Sequence, residues 1–383
     1  MKKLYWRPRG ISRSVLVLIA IISLLGLAAV ELLGTRKKQP YFVEKFQAAQ
    51  IALEGMEMIK ADRQARGASF DPDLDPAQSG LIGEAMSSIT TVTGKLAAKQ
   101  TSINPNFAAV ILDMLTQAGV KSGDTVAIGF SGSFPALNIC VHAAVRAIEV
   151  KPIIISSISA SQFGANDPYF PWIDMERVLN EHNKDAFPYR TIAASLGGVD
   201  DRALGMSKEG RQMLITATER NQIPLIRPKD FKDSIDQHMA TYAQRARTKP
   251  IKAYINVGGG TISVGTAVGK RMFESGLNLR KQPGVQYVDS VMARFIEQGV
   301  PVIHLSRIEQ MALRYGLPLQ PTSIPTPGSG SVFYRKEYNF WLAVSMLLTI
   351  LVSLYAFVRT GAGSRLFQIN ARSKSDMVHE PMV

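Results

Sequence analysis

The chain has 383 residues, more than the ~100–200 of one ordinary domain, so one large or two smaller folded units are possible. Its 44 Lys and Arg residues outnumber its 31 Asp and Glu residues, which gives a formal net charge of +13. No basic stripe with interleaved aromatic residues accompanies this charge, so nucleic acid is excluded as an expected partner. The single cysteine, Cys140, excludes an intrachain disulfide, and the apolar core alone must hold the fold together.

Two long apolar runs lie near the ends of the chain. Val15 to Leu33 follows five basic residues and contains one acid, while Phe340 to Val358 contains no charge. Each is close to the ~20 residues that a helix needs to cross a bilayer, so we predict transmembrane helices at 15–33 and 340–358. A cleaved signal peptide is the alternative for the first run, but such peptides usually have an apolar part of only ~7–15 residues.

The charges that flank these runs predict an orientation. Residues 1–14 and 359–383 are short and rich in Lys and Arg, and segments of this kind stay in the cytoplasm. We therefore predict a two-pass plasma membrane protein with both termini cytoplasmic and residues 34–339 extracytoplasmic. The cell membrane is accordingly a predicted partner.

Residues 34–100 are predicted to form a stalk helix and a connector. Tyr41 to Gly67 has apolar residues at helical spacing, which indicates one long helix leading to the body. At the other end of the body, residues 318–339 are rich in Pro, Gly and Ser and are typical of a linker.

Residues 101–317 alternate between helical and strand patterns. Helices are predicted at 104–119, 135–149, 170–183, 207–222, 229–247, 285–299 and 307–316. Strands are predicted at 124–129, 151–159, 189–195, 223–228, 249–258 and 300–306. Short apolar strands separated by helices predict an α/β fold with a doubly wound, mostly parallel sheet, placed here between the two terminal transmembrane helices.

Three of the predicted strands end in glycine-rich loops. Ligands of open parallel sheets bind beyond the carboxyl ends of the strands, so we expect the three loops to share one crevice. Glycine lets backbone N–H groups approach an anion closely, and a carboxylate or a phosphate would suit such a crevice. The residues predicted to bind it are Gly129, Ser131, Gly132, Ser133, Asn138, Gly197, Gly198, Asp200, Gly258, Gly259, Gly260 and Thr261.

A serine hydrolase is the alternative. Ser131 lies at a strand-to-helix turn within Gly-Phe-Ser-Gly-Ser, which departs from the nucleophile elbow G-x-S-x-G in having Ser133 where the last glycine belongs. Asp201, or Asp200 beside it, and His304 would complete a triad with Ser131 in the chain order Ser, Asp, His. Ser133 is a second candidate nucleophile.

Other chemistry has little support in the sequence. No H-E-x-x-H or C-x-x-C motif occurs, and Asp200 and Asp201 are better explained as helix-capping or solvent-exposed residues than as metal ligands. None of the three loops matches a nucleotide fingerprint, and no cofactor is assigned. An ATP-using enzyme would require the body to face the cytoplasm.

Taken together, the two terminal apolar runs, the basic α/β body and the loops "GFSGSFPALN" and "NVGGGTISVG" resemble the poly-gamma-glutamate system protein family over most of the chain. The resemblance implies an accessory protein that acts with the membrane subunits of a poly-gamma-glutamate synthase. Its ligand would be the polyanionic glutamate polymer that bacteria make as a capsule or release. The resemblance supplies no catalytic residues, and the hydrolase alternative would act on gamma-glutamyl bonds.

Overall fold

The computed structural model describes residues 13–266 and 268–360, and it describes the side chains of residues 17–356 apart from 267. The chain divides into two units, Met1–Lys38 with Tyr334–Val383 and Gln39–Phe333. The side chains of the predicted cytoplasmic ends, 1–14 and 359–383, lie outside the described residues.

In its described residues, the first unit contains two helices and a two-stranded antiparallel sheet. Its elements are α1 (Arg13–Leu32), β1 (Thr35–Lys38), β8 (Tyr334–Glu337) and α13 (Phe340–Thr360). Strand β1 pairs with β8 so that Thr35 lies opposite Glu337. Gly26 of α1 lies against Met346 of α13, because a Cβ at position 26 would be 3.4 Å from the Met346 sulfur.

The predicted membrane topology needs correction. Within the part of the chain that the structure describes, no helix meets both the length and the apolarity that crossing a bilayer demands. This finding contradicts the transmembrane helices at 15–33 and 340–358, and with them the two-pass plasma membrane placement and the extracytoplasmic position of the body.

The second unit is built around a six-stranded mixed sheet. Its strands are β2 (Thr125–Ser131), β3 (Lys151–Ser157), β4 (Ala193–Ser195), β5 (Ile251–Val257), β6 (Gly276–Asn278) and β7 (Val302–Leu305). Its helices are α2 (Phe42–Ala65), α3 (Leu96–Ser102), α4 (Phe107–Gln117), α5 (Pro135–Ala147), α6 (Trp172–His182), α7 (Lys208–Arg220), α8 (Phe231–Ala246), α9 (Thr261–Val264), α10 (Gly269–Met272), α11 (Val291–Glu297) and α12 (Ile308–Arg314).

The strand order gives this sheet a topological switch point. The order is β4-β3-β2-β5-β7-β6, in which all neighbours are parallel except β6, which is antiparallel to β7. From β2 the chain first moves outward through β3 to β4 and then returns to the other side of β2 to form β5. The loops that follow β2 and β5 therefore diverge at one point of the carboxyl edge, which is where doubly wound sheets bind ligands.

Both faces of the sheet are covered by apolar side chains. Val126 and Ile128 of β2 join a large cluster that includes residues of α2, α4, α5, α6 and α12, while Ala127 between them joins a second cluster with residues of α8 and α11. This alternation is the period-2 pattern of a strand that is buried on both sides.

The second unit differs from the predicted elements at α2, at 223–228 and at β6, among other places. Helix α2, predicted as a stalk, belongs to the body, because Ala48, Ala49 and Ala52 are fully buried in its core. The predicted strand at 223–228 is reduced to one bridge between Ala194 and Leu225. Strand β6 was not predicted, because its three residues are too few to show a period.

Candidate functional site

A cavity of about 570 Å³ opens at the switch point of the sheet. This volume lies within the range of small-molecule sites in proteins, roughly 300–1,000 Å³. The loops after β2, β3, β4, β5 and β7 all contribute to its wall, together with residues 91–99, which lie at the start of α3 and in the segment before it.

All three predicted glycine-rich loops reach this cavity. Of the residues predicted to bind an anion, those that line it are Ser131, Ser133, Gly198, Gly258, Gly259, Gly260 and Thr261. Gly198 and Gly258 have φ angles of +73° and +84°, which side chains with a Cβ rarely adopt, so glycine is required for these two turns. Their role in binding stays a prediction.

The other predicted residues support the loops from behind. Gly129 lies against Tyr254, and Gly197 lies beneath the Ser157 and Ser159 hydroxyls. Gly132 donates its N–H to the Ser157 carbonyl at 2.9 Å, so that N–H is not free for a ligand. Asp200 is half-buried and has a φ of +53°. It is not among the described residues that line the cavity.

Asn138 is fully buried and holds the loop after β2 in place. Its Nδ2 donates a hydrogen bond of 2.9 Å to the Ser131 carbonyl. We expect Asn138→Ala to lower the free energy of unfolding by about 1–2 kcal/mol in urea titrations. It should also weaken the binding of an anion in the cavity. Asn180→Ala is the control, because it removes a similar bond of 2.8 Å to the Phe187 carbonyl away from the cavity, and it should affect stability alone. Equal binding by both variants would contradict this role of Asn138.

The contacts of the proposed triad residues do not link them. The Asp201 carboxylate is 2% exposed and accepts hydrogen bonds from Ser195 Oγ at 2.7 Å and Ser234 Oγ at 2.9 Å. His304 Nδ1 lies 3.1 Å from the Asn256 amide nitrogen. Ser131 Oγ accepts a bond of 3.2 Å from the Ser133 N–H. Each group is satisfied by a different neighbour.

The pKa values of Asp201 and His304 are both shifted by burial. Burial raises the pKa of Asp201, an effect opposed by the nearby His238 ring and the two serine hydroxyls. Burial, together with the charge of Arg307, lowers the pKa of His304 to about 4. His304 is therefore neutral near pH 7, and its ring is bonded to Asn256 rather than to a carboxylate.

The sequence analysis missed a buried lysine at the inner wall of the cavity. Lys99 of α3 is 2% exposed, donates from Nζ to the Ser133 carbonyl, and lies 2.8 Å from Ser161 Oγ. Its Nζ also lies 3.7 Å from the centre of the Phe134 ring. Burial lowers the pKa of the Lys99 amine from the usual 10.5 to about 7.

A second missed feature is a row of hydroxyls after β3. Ser157, Ser159 and Ser161 alternate along the extended chain and all line the cavity. Every second residue of an extended chain points to the same side, so the spacing in "SSISAS" could have predicted a row of hydroxyls on one side. Nothing in the sequence around Lys99 marked it as buried.

The charge around the cavity is mostly positive. Lys95, Lys270 and Arg307 are exposed residues of its wall, whereas Glu309 is the one acidic residue among the described lining residues. An excess of cations in a cleft with partly apolar walls attracts anions. The site can therefore hold a carboxylate or a phosphate by charge and by its hydroxyl donors.

No candidate metal site is present in the described part of the chain. No group of three or more His, Cys, Asp or Glu side chains there is placed to hold an ion. A cavity of about 30 Å³ beside the main one, lined by Asp201, His238 and Tyr254 among others, has room for about one water molecule.

Fold and site together define an α/β protein with a cation-rich cleft at the switch point of its sheet. No protein-family model matches the sequence, and no curated protein does. Among solved structures, the crystal structure of an archaeal alanine:glyoxylate aminotransferase is similar at 10% sequence identity and a TM-score of 0.18. The match covers 83% of this chain and 69% of that chain, and a similarity this weak carries no inference.

Proposed function

We propose that this protein binds a polycarboxylate, a glutamate polymer with gamma linkages, in the cleft, and that it serves as an accessory factor in the synthesis or export of that polymer. One observation carries the anion-binding part: Lys95, Lys270 and Arg307 line the cleft, and Glu309 is the one carboxylate among the described lining residues. The resemblance of the glycine-rich loops to the poly-gamma-glutamate system family supports the choice of polymer.

The arrangement of the lining residues suits a chain of carboxylates better than one small anion. Lys270 and Arg307 are exposed, lie on segments that follow different strands, and can each receive a separate carboxylate. The hydroxyls of Ser131 and Thr261 are donors for the oxygens of the polymer. Because these cationic side chains are mostly solvent-exposed, added salt should weaken their attraction for the polymer. At 0.1 M salt the Debye length, over which charges are screened, is about 10 Å.

The binding test uses the full-length protein and a gamma-linked glutamate oligomer at low salt. A Lys270→Ala/Arg307→Ala variant should raise Kd about tenfold, which corresponds to ~1.4 kcal/mol. The control is Lys249→Ala/Lys252→Ala, which removes two exposed cations near the amino end of β5, the opposite edge of the sheet. It should leave Kd within about twofold.

Two results would reject the proposal. One is equal binding of the oligomer and of the same oligomer with its free carboxylates converted to amides. The other is an equal loss of affinity in both double variants, since that would reflect net charge and not the cleft. In cells, deleting the gene should lower polymer output, and restoring it with the Lys270→Ala/Arg307→Ala variant should fail to recover the full amount.

A further inference from the structure

The pairing of Lys99 with Ser161 is the strongest unused feature of the cleft. Lys99 Nζ lies 2.8 Å from Ser161 Oγ, and the two residues are 62 positions apart in the chain. Both side chains are buried, with Lys99 2% and Ser161 6% exposed, and both line the main cavity.

The surroundings of Lys99 suit a neutral amine. Among the residues that the structure describes, no carboxylate forms an ion pair with its Nζ, in contrast to Lys45, which lies 2.6 Å from the Asp113 carboxylate. Lys99 Nζ donates to the Ser133 carbonyl and to Ser161 Oγ, and the Ser161 hydroxyl lies 3.5 Å from the Gln162 carbonyl oxygen. Once neutral, the amine has a lone pair at the same 2.8 Å distance that can accept the Ser161 hydroxyl proton. The lowered pKa of Lys99, about 7, agrees with this state.

We propose that Ser161 and Lys99 form a nucleophile and general-base pair for acyl transfer, acting on an amide or ester whose acyl part carries a carboxylate. A buried amine close to a hydroxyl is one of the ways in which proteins activate a serine. The choice of an anionic acyl group rests on the proposed function, because the same cationic wall would receive it. The pair itself does not depend on the identity of the polymer.

The steps balance with water as the second reactant. Lys99 Nζ takes the proton of Ser161 Oγ while Oγ attacks the carbonyl carbon and the carbonyl electron pair moves to oxygen. The tetrahedral intermediate then expels the amine or alcohol, which leaves with the proton from Lys99, and an acyl ester remains on Ser161. Lys99 next takes a proton from water, which attacks the ester, and Ser161 regains its proton as the acid departs.

The cavity gives this pair access to a substrate. Ser161 and Lys99 both line this cavity, as does Gly94 beside them. The hydroxyls of Ser131, Ser157 and Ser159 line the same cavity and are donors for an oxyanion.

The test is labelling of the full-length protein with a fluorophosphonate probe, followed by peptide mass spectrometry. The expected result is a single adduct on Ser161 that disappears in Ser161→Ala and forms at least 100-fold more slowly in Lys99→Met. Ser122→Ala is the control, because this exposed serine lies on a turn outside the cavity, and it should label at the rate of the unsubstituted protein.

Three outcomes would overturn the proposal: no adduct on the folded protein, an adduct on Ser131 or Ser133 instead, or unchanged labelling in Lys99→Met. A structural role of Lys99 alone would give one of these. Because the probe has no carboxylate, its failure would leave anion binding intact. Conversely, Lys270→Ala/Arg307→Ala should lose oligomer binding while Ser161 is still labelled, which separates the two proposals.

Discussion

A Lys99→Met variant is expected to be more stable than the unsubstituted protein at pH 6.5 and to lose that advantage as the pH rises to 10. Burial lowers the pKa of Lys99 from 10.5 to about 7, so charging this amine in the folded state is costly. A pKa unit corresponds to about 1.4 kcal/mol, and the stability difference between the two proteins should change by about 4 kcal/mol across this range.

The direction follows from proton binding in the two states. Between pH 7 and 10.5 the unfolded chain holds a proton on Lys99, whereas the folded protein has released it. The free energy of unfolding of the unsubstituted protein therefore rises with pH in this window, and the full penalty is present below pH 7. The lost hydrogen bonds to Ser133 and Ser161 add a pH-independent cost to the variant, so the pH trend and not the absolute difference is the measurement.

Urea unfolding at pH 6.5, 8 and 10 would measure this trend. The other charged residues of the cavity, Lys95, Lys270, Arg307 and Glu309, are identical in both proteins. Lys45→Met is the matched control, because Lys45 is 1% exposed but paired with Asp113, and its removal should destabilise the protein. A stability difference for Lys99→Met that does not change with pH would show that Lys99 is not desolvated.

A buried lysine that costs stability is evidence for a functional role of the cleft. Proteins retain such groups mainly where chemistry or binding needs them, and shifted pKa values concentrate at those places. Lys99 lies beside Ser133 and Ser161 at the inner wall of the cleft. This placement favours a role in the cleft over a role in the core.

The regular part of the fold could be predicted from the sequence because its pattern is local. Alternating apolar strands and amphipathic helices indicated an α/β sheet, and the rule for carboxyl edges predicted that the loops after β2, β4 and β5 would meet. The position of α2 could not be predicted in the same way. Its helical spacing is visible in the sequence, but what its apolar face contacts depends on α4 and α5, which follow much later in the chain.

The residues of the site also differ in whether a local sequence pattern predicts them or only contacts with distant residues reveal them. Ser131, Gly198 and Gly258 could be named because glycine-rich turns after strands are visible in the sequence. Lys99 could not, because its burial is created by Ser133 and Ser161, which are 34 and 62 residues away. The proposed link between Ser131, Asp201 and His304 rested on chain order, and chain order does not determine which buried groups become hydrogen-bond partners.

Gly129→Ala is expected to destabilise the protein by about 3 kcal/mol, although it adds only one methyl group. Gly129 lies in β2, which is paired on both sides with β3 and β5. A Cβ at this position would overlap the hydroxyl oxygen of Tyr254 and lie 3.3 Å from its Cζ atom. Tyr254 is 1% exposed, and its ring stacks on Phe295 at 4.7 Å, so it has little freedom to move away.

A double-mutant cycle with Tyr254→Phe tests this contact directly. Removing the hydroxyl oxygen leaves Cζ as the nearest atom, which requires a shift of only a few tenths of an ångström. The double variant should therefore recover part of the loss, with a coupling energy of about 1–2 kcal/mol in urea unfolding. Gly259→Ala is the control, because its Cβ would meet nothing within 4 Å and its φ is not positive, and it should change stability by less than about 0.5 kcal/mol. Additive effects in the cycle, or equal stability of Gly129→Ala and Gly259→Ala, would mean that contact with the Tyr254 hydroxyl does not limit the size of the side chain at position 129.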